Sequence, residues 1–307
     1  MSSSLNNSTA SSVTHHPTRS DVAIFSDFDG TIFMQDTGHV LFDKHGCGAK
    51  HREHLDHQIN TGTRSFRDAS EEMWGSLTVT FDDSMEDMKN HLEIDADFEE
   101  FHDFCIQEGV PFNVISAGLK PVLRGVLDQF LGEDASNRIG IISNDAEISP
   151  DGTKWIPIWR HDNELGHDKS VSIKECRAQL RKQLPQNKSP LIIFVGDGVS
   201  DLPAAREADV LFARHGLRLE EYCIEHSIDF IPFDTFADVQ HEVSRILDSG
   251  DLERFKKPAN RSATSSSTIA SSKHKLFGNV DTRKSRRTDK THLSPISSHF
   301  GKTITIA

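Results

Sequence analysis

The hydrophobic pattern of this chain alternates between short apolar runs and stretches whose apolar residues recur every three or four positions. Continuous apolar runs are typical of buried strands, and the longer spacing is typical of amphipathic helices. The pattern predicts strands at 21–26 (DVAIFS), 112–116 (FNVIS), 138–143 (RIGIIS), 191–195 (LIIFV), 210–213 (VLFA) and 230–232 (FIP), and a hairpin arm at 155–159. It predicts helices at 120–131, 170–184, 203–208, 217–226 and 236–247. Because the two kinds of element alternate, we expect an α/β fold, a Rossmann-like three-layer sandwich with a parallel central sheet.

The segment 37–109 differs from its surroundings because helical spacing is its only hydrophobic period. Candidate helix N-caps in it are Thr63, Ser65 and Asp97. Gly109, followed by Pro111, is expected to end the last helix. The segment is therefore predicted to be a helical cap inserted over the carboxyl end of the sheet. The α/β core would then consist of 21–36 and 110–250.

The two ends of the chain are polar and are predicted to be disordered. Residues 1–20 are rich in Ser, Asn and Thr, and 251–307 contain 12 Lys or Arg against 4 Asp or Glu. The basic cluster at 283–287 (RKSRR) could serve nuclear import or phosphorylation, or simply be a solvated part of the tail. The whole chain has a formal net charge of −13, which argues against a general nucleic-acid binder.

The cysteine pattern and hydropathy predict a cytoplasmic protein, with the nucleus as an alternative through the basic tail. The four cysteines are widely spaced and form no CxxC pair, so we expect free thiols in a reducing compartment. No apolar run approaches the length of a membrane span, and the N-terminus has no apolar signal-peptide region. We therefore expect neither a membrane nor a nucleic acid among the partners.

Polar residues follow the predicted strands at the points where these strands end. Since the carboxyl ends of parallel strands meet at one edge of the sheet, the side chains should converge there. Asp27 and Asp29 are two positions apart after the first strand, so they can address one centre. The other members of this set are Ser116, Gly118, Lys169, Asp197 and Asp201, with Lys174 as an alternative to Lys169.

This set of groups suits phosphoryl transfer. A carboxylate can attack phosphorus, and a second carboxylate can carry protons to the leaving oxygen and from water. Clustered carboxylates repel one another unless a cation lies among them, and Mg²⁺ prefers carboxylates, water and phosphate oxygens. A lysine, a serine hydroxyl and backbone N–H groups can bind the remaining phosphate oxygens. The sequence therefore predicts Mg²⁺ as the cofactor and a small phosphorylated metabolite as the partner.

The same motifs resemble those of the haloacid dehalogenase superfamily: Asp27-Phe28-Asp29-Gly30-Thr31, a strand-end serine, a lysine, and Gly196-Asp197-Gly198 with Ser200-Asp201. The inserted helices resemble the C1-type cap of phosphoserine phosphatases and of the diketo-methylthio-phosphopentane phosphatase group. The resemblance implies Asp27 as nucleophile and Asp29 as acid and base. It implies Mg²⁺ binding by Asp27, Asp197 and the Asp29 carbonyl, and places Asp201 near the metal water or Lys169. Phosphate binding is implied for Ser116, Gly118 and Lys169.

The cap is expected to carry substrate specificity. Arg67 resembles the arginine with which phosphoserine phosphatases bind the substrate carboxylate, although a solvated helix arginine would look the same. Asp36 takes the position, nine residues after the nucleophile, at which that group usually has a glutamate. His51, His54 and His57 are expected to form a solvated helix face rather than a metal site, because their spacing drifts around a helix.

These observations predict a Mg²⁺-dependent phosphomonoesterase that works through an aspartyl-phosphate intermediate. Two alternatives stay open at this point. A phosphotransferase or mutase would use the same carboxylates to pass phosphate to a sugar. A non-catalytic regulatory protein could keep the fold alone.

Overall fold

The computed structural model describes residues 18–257, and its centre is a seven-stranded sheet. The strands lie in the order β4-β3-β2-β1-β5-β6-β7, and only β4 runs antiparallel to its neighbour. This arrangement confirms the predicted parallel central sheet, to which the hairpin strand β4 adds an antiparallel edge. The strands are β1 Val22–Ser26, β2 Phe112–Leu119, β3 Gly140–Ile148, β4 Trp155–Ile158, β5 Leu191–Gly196, β6 Val210–Arg214 and β7 Ile231–Phe233.

Helices cover both faces of the sheet because β1 and β5 are apolar on both sides. Val22 and Ile24 belong to one buried cluster, and Ala23 and Phe25 belong to the other. The strand period of two residues produces this division. The first cluster includes residues of α5 (Phe98–Gln107), α6 (Lys120–Leu131) and α11 (Phe236–Asp248). A short helix, α7 (Glu133–Ser136), follows α6. The second includes residues of α8 (Lys169–Arg181), α9 (Leu202–Glu207) and α10 (Arg218–Glu225).

The inserted segment contains four helices that precede α5: α1 (Thr37–His45), α2 (Ala49–Asn60), α3 (Phe66–Gly75) and α4 (Phe81–His91). Helix α5 lies in the predicted cap range but covers the sheet. The ring of Phe98 is centred 5.5 Å from that of Phe112 and 5.0 Å from that of Phe236. A parallel crossover from β1 to β2 needs a helix on the sheet, and α5 supplies it. The helical spacing of 98–105 shows an apolar face without showing which surface that face meets.

A tryptophan of the hairpin of β3 and β4 packs against the inserted helices. Trp155 is buried, stacks on Trp74 with ring centroids 6.2 Å apart, and lies 5.3 Å from the ring of Phe81. Trp74 in turn meets Phe42 edge-on at 4.7 Å. Aromatic burial of this size fixes the position of the helices over the hairpin. The predicted hairpin arm is therefore also a contact surface for the cap.

Several predicted boundaries shift in the structure. Ser65 caps α3 by accepting from Asp68 N at 3.0 Å, whereas Asp97 precedes α5 without a side-chain capping bond and Thr63 caps no helix. The packed chain continues past 250 through a 3₁₀ turn at Leu252–Phe255, and the Lys256 ammonium donates to the carbonyl of Ser189. The predicted disorder of 1–17 and 258–307, and the cluster at 283–287, lie outside the described residues. Within 18–257, no helix has the length and apolar character needed to cross a membrane.

Candidate active site

The turn after β1 places two carboxylates at the carboxyl edge of the sheet. Asp27 N donates to the carbonyl of Val195 at 2.9 Å, so the end of β1 stays beside the end of β5. Gly30 has φ +79°, and a Cβ built on it would lie 2.4 Å from an Asp197 carboxylate oxygen. Only glycine fits this conformation and this close approach. The turn after β1 therefore packs directly against the Asp197 carboxylate.

Asp27, Asp197 and Asp201 form a compact carboxylate cluster. One oxygen of each lies within 4.8 Å of the others. Asp197 accepts from Thr31 Oγ1 at 2.8 Å, and one oxygen of Asp201 accepts from two backbone N–H groups. Burial, reinforced by the neighbouring Asp201, raises the pKa of Asp27 well above its usual value. The same two causes raise the pKa of Asp197 to about 6.

Lys169 is the cation at this cluster. Its Nζ lies 2.9 Å from Asp27 Oδ2 and 2.8 Å from Asp201 Oδ1, and only 5% of the residue is exposed. Burial alone would lower the pKa of Lys169, but the Asp201 and Asp27 carboxylates outweigh it and raise this pKa. Lys174, the alternative, pairs with Glu207 at 3.2 Å and has a 59% exposed side chain. The structure thus brings Lys169 to the site and leaves Lys174 at the surface.

The donor set fits a divalent cation bound by hard oxygen ligands. Three clustered carboxylates face one ammonium, so the site carries an excess of negative charge that a divalent cation would balance. Such a cation would also favour the ionised form of Asp27, which a nucleophile requires. The side chain of Asp29 is not in the cluster, and metal binding by its carbonyl stays a prediction. Among residues 18–257 there is no second cluster of three or more potential metal-binding side chains. His51, one of the three histidines of α2, pairs with Glu72.

Asp29 lies beside the cluster in a different environment. Its Oδ1 accepts from Thr37 N at 2.8 Å, which connects the turn to the start of α1. Burial, together with the negative charge of Asp36, raises the pKa of Asp29 to about 8. Both effects favour the protonated form of this carboxyl group. Asp29 can therefore donate a proton where Asp27 can attack.

Ser116 and Gly118 lie at the end of β2. Ser116 is buried, and its Oγ accepts from Gly118 N at 3.0 Å. The register of β2 against β3 shifts between Ile115 and Leu119, so residues 116–118 form an irregular, bulged part of the strand. A hydroxyl and a backbone N–H are thus close together at the same sheet edge as Asp27.

The two specificity candidates lie in contacts within the protein. Arg67 Nη1 lies 2.8 Å from Asp162 Oδ1, and its guanidinium is 5.9 Å from the ring centroid of Trp159. This contact joins α3 to the loop between β4 and α8. Asp36 caps α1 by accepting from His39 N at 2.8 Å. Both residues have a structural partner, and a substrate role for either stays a prediction.

Sequence reasoning missed the buried arginine that supports the turn. Arg214, at the end of β6, donates through Nη2 to the carbonyl of Thr31 at 2.6 Å and to Asp95 Oδ2 at 2.7 Å. The Asp95 N–H donates to the carbonyl of Ile32 at 2.8 Å. Arg214 therefore contacts both segments that connect the core to the inserted helices, one at Thr31 and the other at Asp95. Its position directly after an apolar strand is the signal that could have identified it, whereas Asp95 has no comparable signal.

The comparison with protein families agrees with this fold. The haloacid dehalogenase-like hydrolase profile matches residues 24–206. The chain belongs to the haloacid dehalogenase-like hydrolases, which confirms the resemblance drawn from its motifs.

Three curated relatives each match about three quarters of the chain. Pdp3-interacting factor 1 of Schizosaccharomyces pombe is 38% identical over 73% of this chain and 95% of its own length. The polyol phosphate phosphatase of Saccharomyces cerevisiae is 33% identical over 73% of this chain and 93% of its own. The 2-hydroxy-3-keto-5-methylthiopentenyl-1-phosphate phosphatase of Bacillus cytotoxicus is 30% identical over 74% and 98%.

A solved structure supports the fold independently. A phosphoserine phosphatase captured as a phospho-aspartyl intermediate analogue has a TM-score of 0.52 to this chain and 14% sequence identity. The match covers 75% of this chain and 98% of the other. At this identity the likeness concerns the fold alone.

Proposed function

We propose that this protein is a Mg²⁺-dependent phosphomonoesterase that forms an aspartyl-phosphate intermediate on Asp27. The observation that carries the proposal is the cluster of buried Asp27 and Asp201 and half-buried Asp197, with Lys169 between Asp27 and Asp201. Two of the three curated relatives are named as phosphatases of small phosphorylated molecules, which supports the same class. A hydrolase of this class needs a nucleophile, an acid and a cationic phosphate site, and Asp27, Asp29 and Lys169 would supply them.

The reaction has two steps. A carboxylate oxygen of Asp27 attacks phosphorus, the bond to the substrate oxygen breaks, and Asp29 donates its proton to that leaving oxygen. In the second step Asp29 takes a proton from water, the water oxygen bonds to phosphorus, and the bond to Asp27 breaks. Lys169, Ser116 and the N–H of Gly118 bind the phosphate oxygens. Asp27, Asp197 and the Asp29 carbonyl would hold Mg²⁺, which when bound would supply positive charge to the phosphoryl group.

The test removes the nucleophile and keeps its shape. We expect Asp27→Asn to lower kcat for p-nitrophenyl phosphate on the order of 10⁴-fold. Asp103→Asn, the same chemical change at an exposed position of α5, serves as the control and should retain full activity. Retention of activity in Asp27→Asn would refute the mechanism.

Two further measurements separate the alternatives. Absence of Mg²⁺-dependent turnover in the wild type would favour the non-catalytic alternative. An excess of glycerol as acceptor distinguishes hydrolysis from phosphate transfer, since a phosphotransferase would yield glycerol phosphate instead of inorganic phosphate.

We infer further that the substrate carries no carboxylate beside its phosphate. Arg67, the cap arginine expected to bind such a group, already has Asp162 as a partner. Asp36 adds negative charge next to Asp29 and would repel a substrate carboxylate. The 33% identical yeast relative is named for polyol phosphates, which are uncharged apart from the phosphate.

A substrate panel tests this inference. We expect kcat/KM to be higher for glycerol 3-phosphate and sorbitol 6-phosphate than for phosphoserine or 3-phosphoglycerate. Arg67→Met should change kcat/KM for the polyol phosphates less than about threefold, since the lost ion pair is solvent-exposed. A preference for phosphoserine that disappears in Arg67→Met would contradict the inference and assign the arginine to the substrate.

A further inference from the structure

Two buried side chains form hydrogen bonds with the backbone of residues 116–118, which we call the phosphate loop. His167 precedes α8, and its Nδ1 lies 2.7 Å from the carbonyl oxygen of Ser116. Asn144 lies on β3 and is fully buried, and its Nδ2 donates to the carbonyl oxygen of Ala117 at 2.7 Å. Two consecutive carbonyl groups of the loop are therefore bound by side chains from two other elements. The shift in β2–β3 register between Ile115 and Leu119 explains why side chains take this place.

The proton of His167 can be placed from its partners. A carbonyl oxygen only accepts, so Nδ1 must carry the hydrogen in its bond to Ser116. Burial lowers the pKa of His167 to about 4, so the ring is neutral and Nε2 is an acceptor. Ser172 Oγ, 2.9 Å from Nε2, donates its hydrogen to the ring, and it accepts from Arg160 Nε at 3.0 Å. The chain of hydrogen bonds thus has one direction and fixes one tautomer.

The hydrogen bonds that involve Arg160 also include Asn144. Asn144 Oδ1 accepts from Arg160 N at 3.0 Å, so its amide orientation is also fixed. Arg160 therefore contacts Ser172 through its side chain and Asn144 through its backbone. His167 and Asn144 are both held in place before they bind the loop.

The consequence for the loop follows from the geometry of the peptide group. In a planar trans peptide, the C=O of one residue and the N–H of the next point in opposite directions. A Ser116 carbonyl turned toward His167 turns the Ala117 N–H away from it. An Ala117 carbonyl turned toward Asn144 turns the Gly118 N–H away likewise. The Gly118 N–H donates to Ser116 Oγ at 3.0 Å, so it points to the side of the loop that carries the Ser116 hydroxyl.

We propose that His167 and Asn144 are positioning residues that aim the N–H groups of Ala117 and Gly118 at the substrate phosphate. The inference rests on the proposed function, because it assigns 116–118 to phosphate binding. N–H donors whose direction is fixed in advance bind an anion with little reorganisation. The Gly118 N–H would exchange its bond to Ser116 Oγ for one to a phosphate oxygen. Neither His167 nor Asn144 needs to touch the substrate, so their effect should appear in phosphate affinity.

The experiment measures the competitive inhibition constant of inorganic phosphate with the Mg²⁺-loaded protein and p-nitrophenyl phosphate as substrate. We expect His167→Leu to raise this constant about tenfold, the effect of losing one well-placed hydrogen bond. His167→Asn keeps an N–H donor near the position of Nδ1 and should stay within threefold of the wild type. His102→Leu is the matched control, since His102 is equally buried but lies on α5 beside Phe98.

The outcomes separate positioning from simple stabilisation. A purely structural role predicts that His167→Leu lowers the melting temperature as His102→Leu does, with an unchanged phosphate constant, and this result would overturn the inference. If His167→Leu does not fold, Ser172→Ala is measured instead. An unchanged phosphate constant in Ser172→Ala would likewise overturn the inference. A wild type that neither hydrolyses p-nitrophenyl phosphate nor binds phosphate would instead refute the proposed function.

Discussion

Removal of the Arg214 guanidinium should destabilise the protein far more than removal of an exposed arginine. In the native state Arg214 is bound to Asp95 at 2.7 Å, and the side chains are 10% and 1% exposed. It also donates to the carbonyls of Thr31 and Asp234, both at 2.6 Å. Arg214→Ala would leave the Asp95 carboxylate buried without a cation. Loss of one partner of a buried ion pair costs about 3–5 kcal/mol, and we expect a value in this range.

The assay is urea denaturation followed by circular dichroism, with the free energy of unfolding taken from the midpoint and slope. Arg218→Ala is the control, because Arg218 pairs with Glu221 at the surface with side chains 74% and 54% exposed. We expect this change to cost less than about 1 kcal/mol.

A double-mutant cycle identifies the cause of the loss. Adding Asp95→Asn to Arg214→Ala removes the unpaired charge, while the oxygen of the new amide can still accept from Phe236 N, as Asp95 does at 3.0 Å. We expect the double variant to be more stable than the sum of the single effects by about 0.5–3 kcal/mol. Additive effects, or an Arg214→Ala loss no larger than that of Arg218→Ala, would refute the assignment of this pair as the support of the core–insertion connections.

Three further expectations concern the turn, a buried histidine and the metal. Gly30→Ala and Gly132→Ala both place a side chain at a positive φ, so both variants should be less stable than the wild type. Only the Cβ at position 30 would collide with Asp197, so only Gly30→Ala should lose activity. Equal activities of the two variants would contradict this expectation. Burial lowers the pKa of His102 from 6.5 to about 4, so the folded state resists protonation and stability should fall by about 3 kcal/mol as the pH drops from 6.5 to 4. His102→Gln should show a smaller loss over that interval by urea denaturation, and an identical loss would exclude His102 as its source. Mg²⁺ at a hundred times its dissociation constant should stabilise the wild type by about 2.7 kcal/mol in thermal unfolding. The melting temperature of Asp197→Asn should change little on addition of Mg²⁺. A change equal to that of the wild type would mean that the ion binds elsewhere.

The sequence predicted the sheet and much of the site because both depend on local patterns. A run such as 191–195 is apolar at every position, which is expected for a strand covered on both faces. Asp27, Asp197 and Lys169 were predicted to meet because the ends of parallel strands and the starts of the following helices share one edge of a sheet. The structure places these three residues together in the same way.

Contacts between distant segments could not be predicted from these patterns. Arg214 and Asp95 are 119 positions apart, and Arg67 and Asp162 are 95 apart. Nothing in the spacing of either residue indicates its partner, since an arginine at a strand end or on a helix face is compatible with solvent. The assignment of α5 to the sheet is a similar case, because the period of 98–105 is the same for any apolar surface.

The sequence by itself thus determined which residues face inward and which chemical groups stand at the strand ends. These properties follow from the strand period of two and the helix period of 3.6, which act over a few neighbouring residues. Only the tertiary structure decided how those groups are supported. The bonds of His167 and Asn144 to consecutive carbonyls, and that of Arg214 to Asp95, join separate elements, and their geometry exists only when the layers are packed.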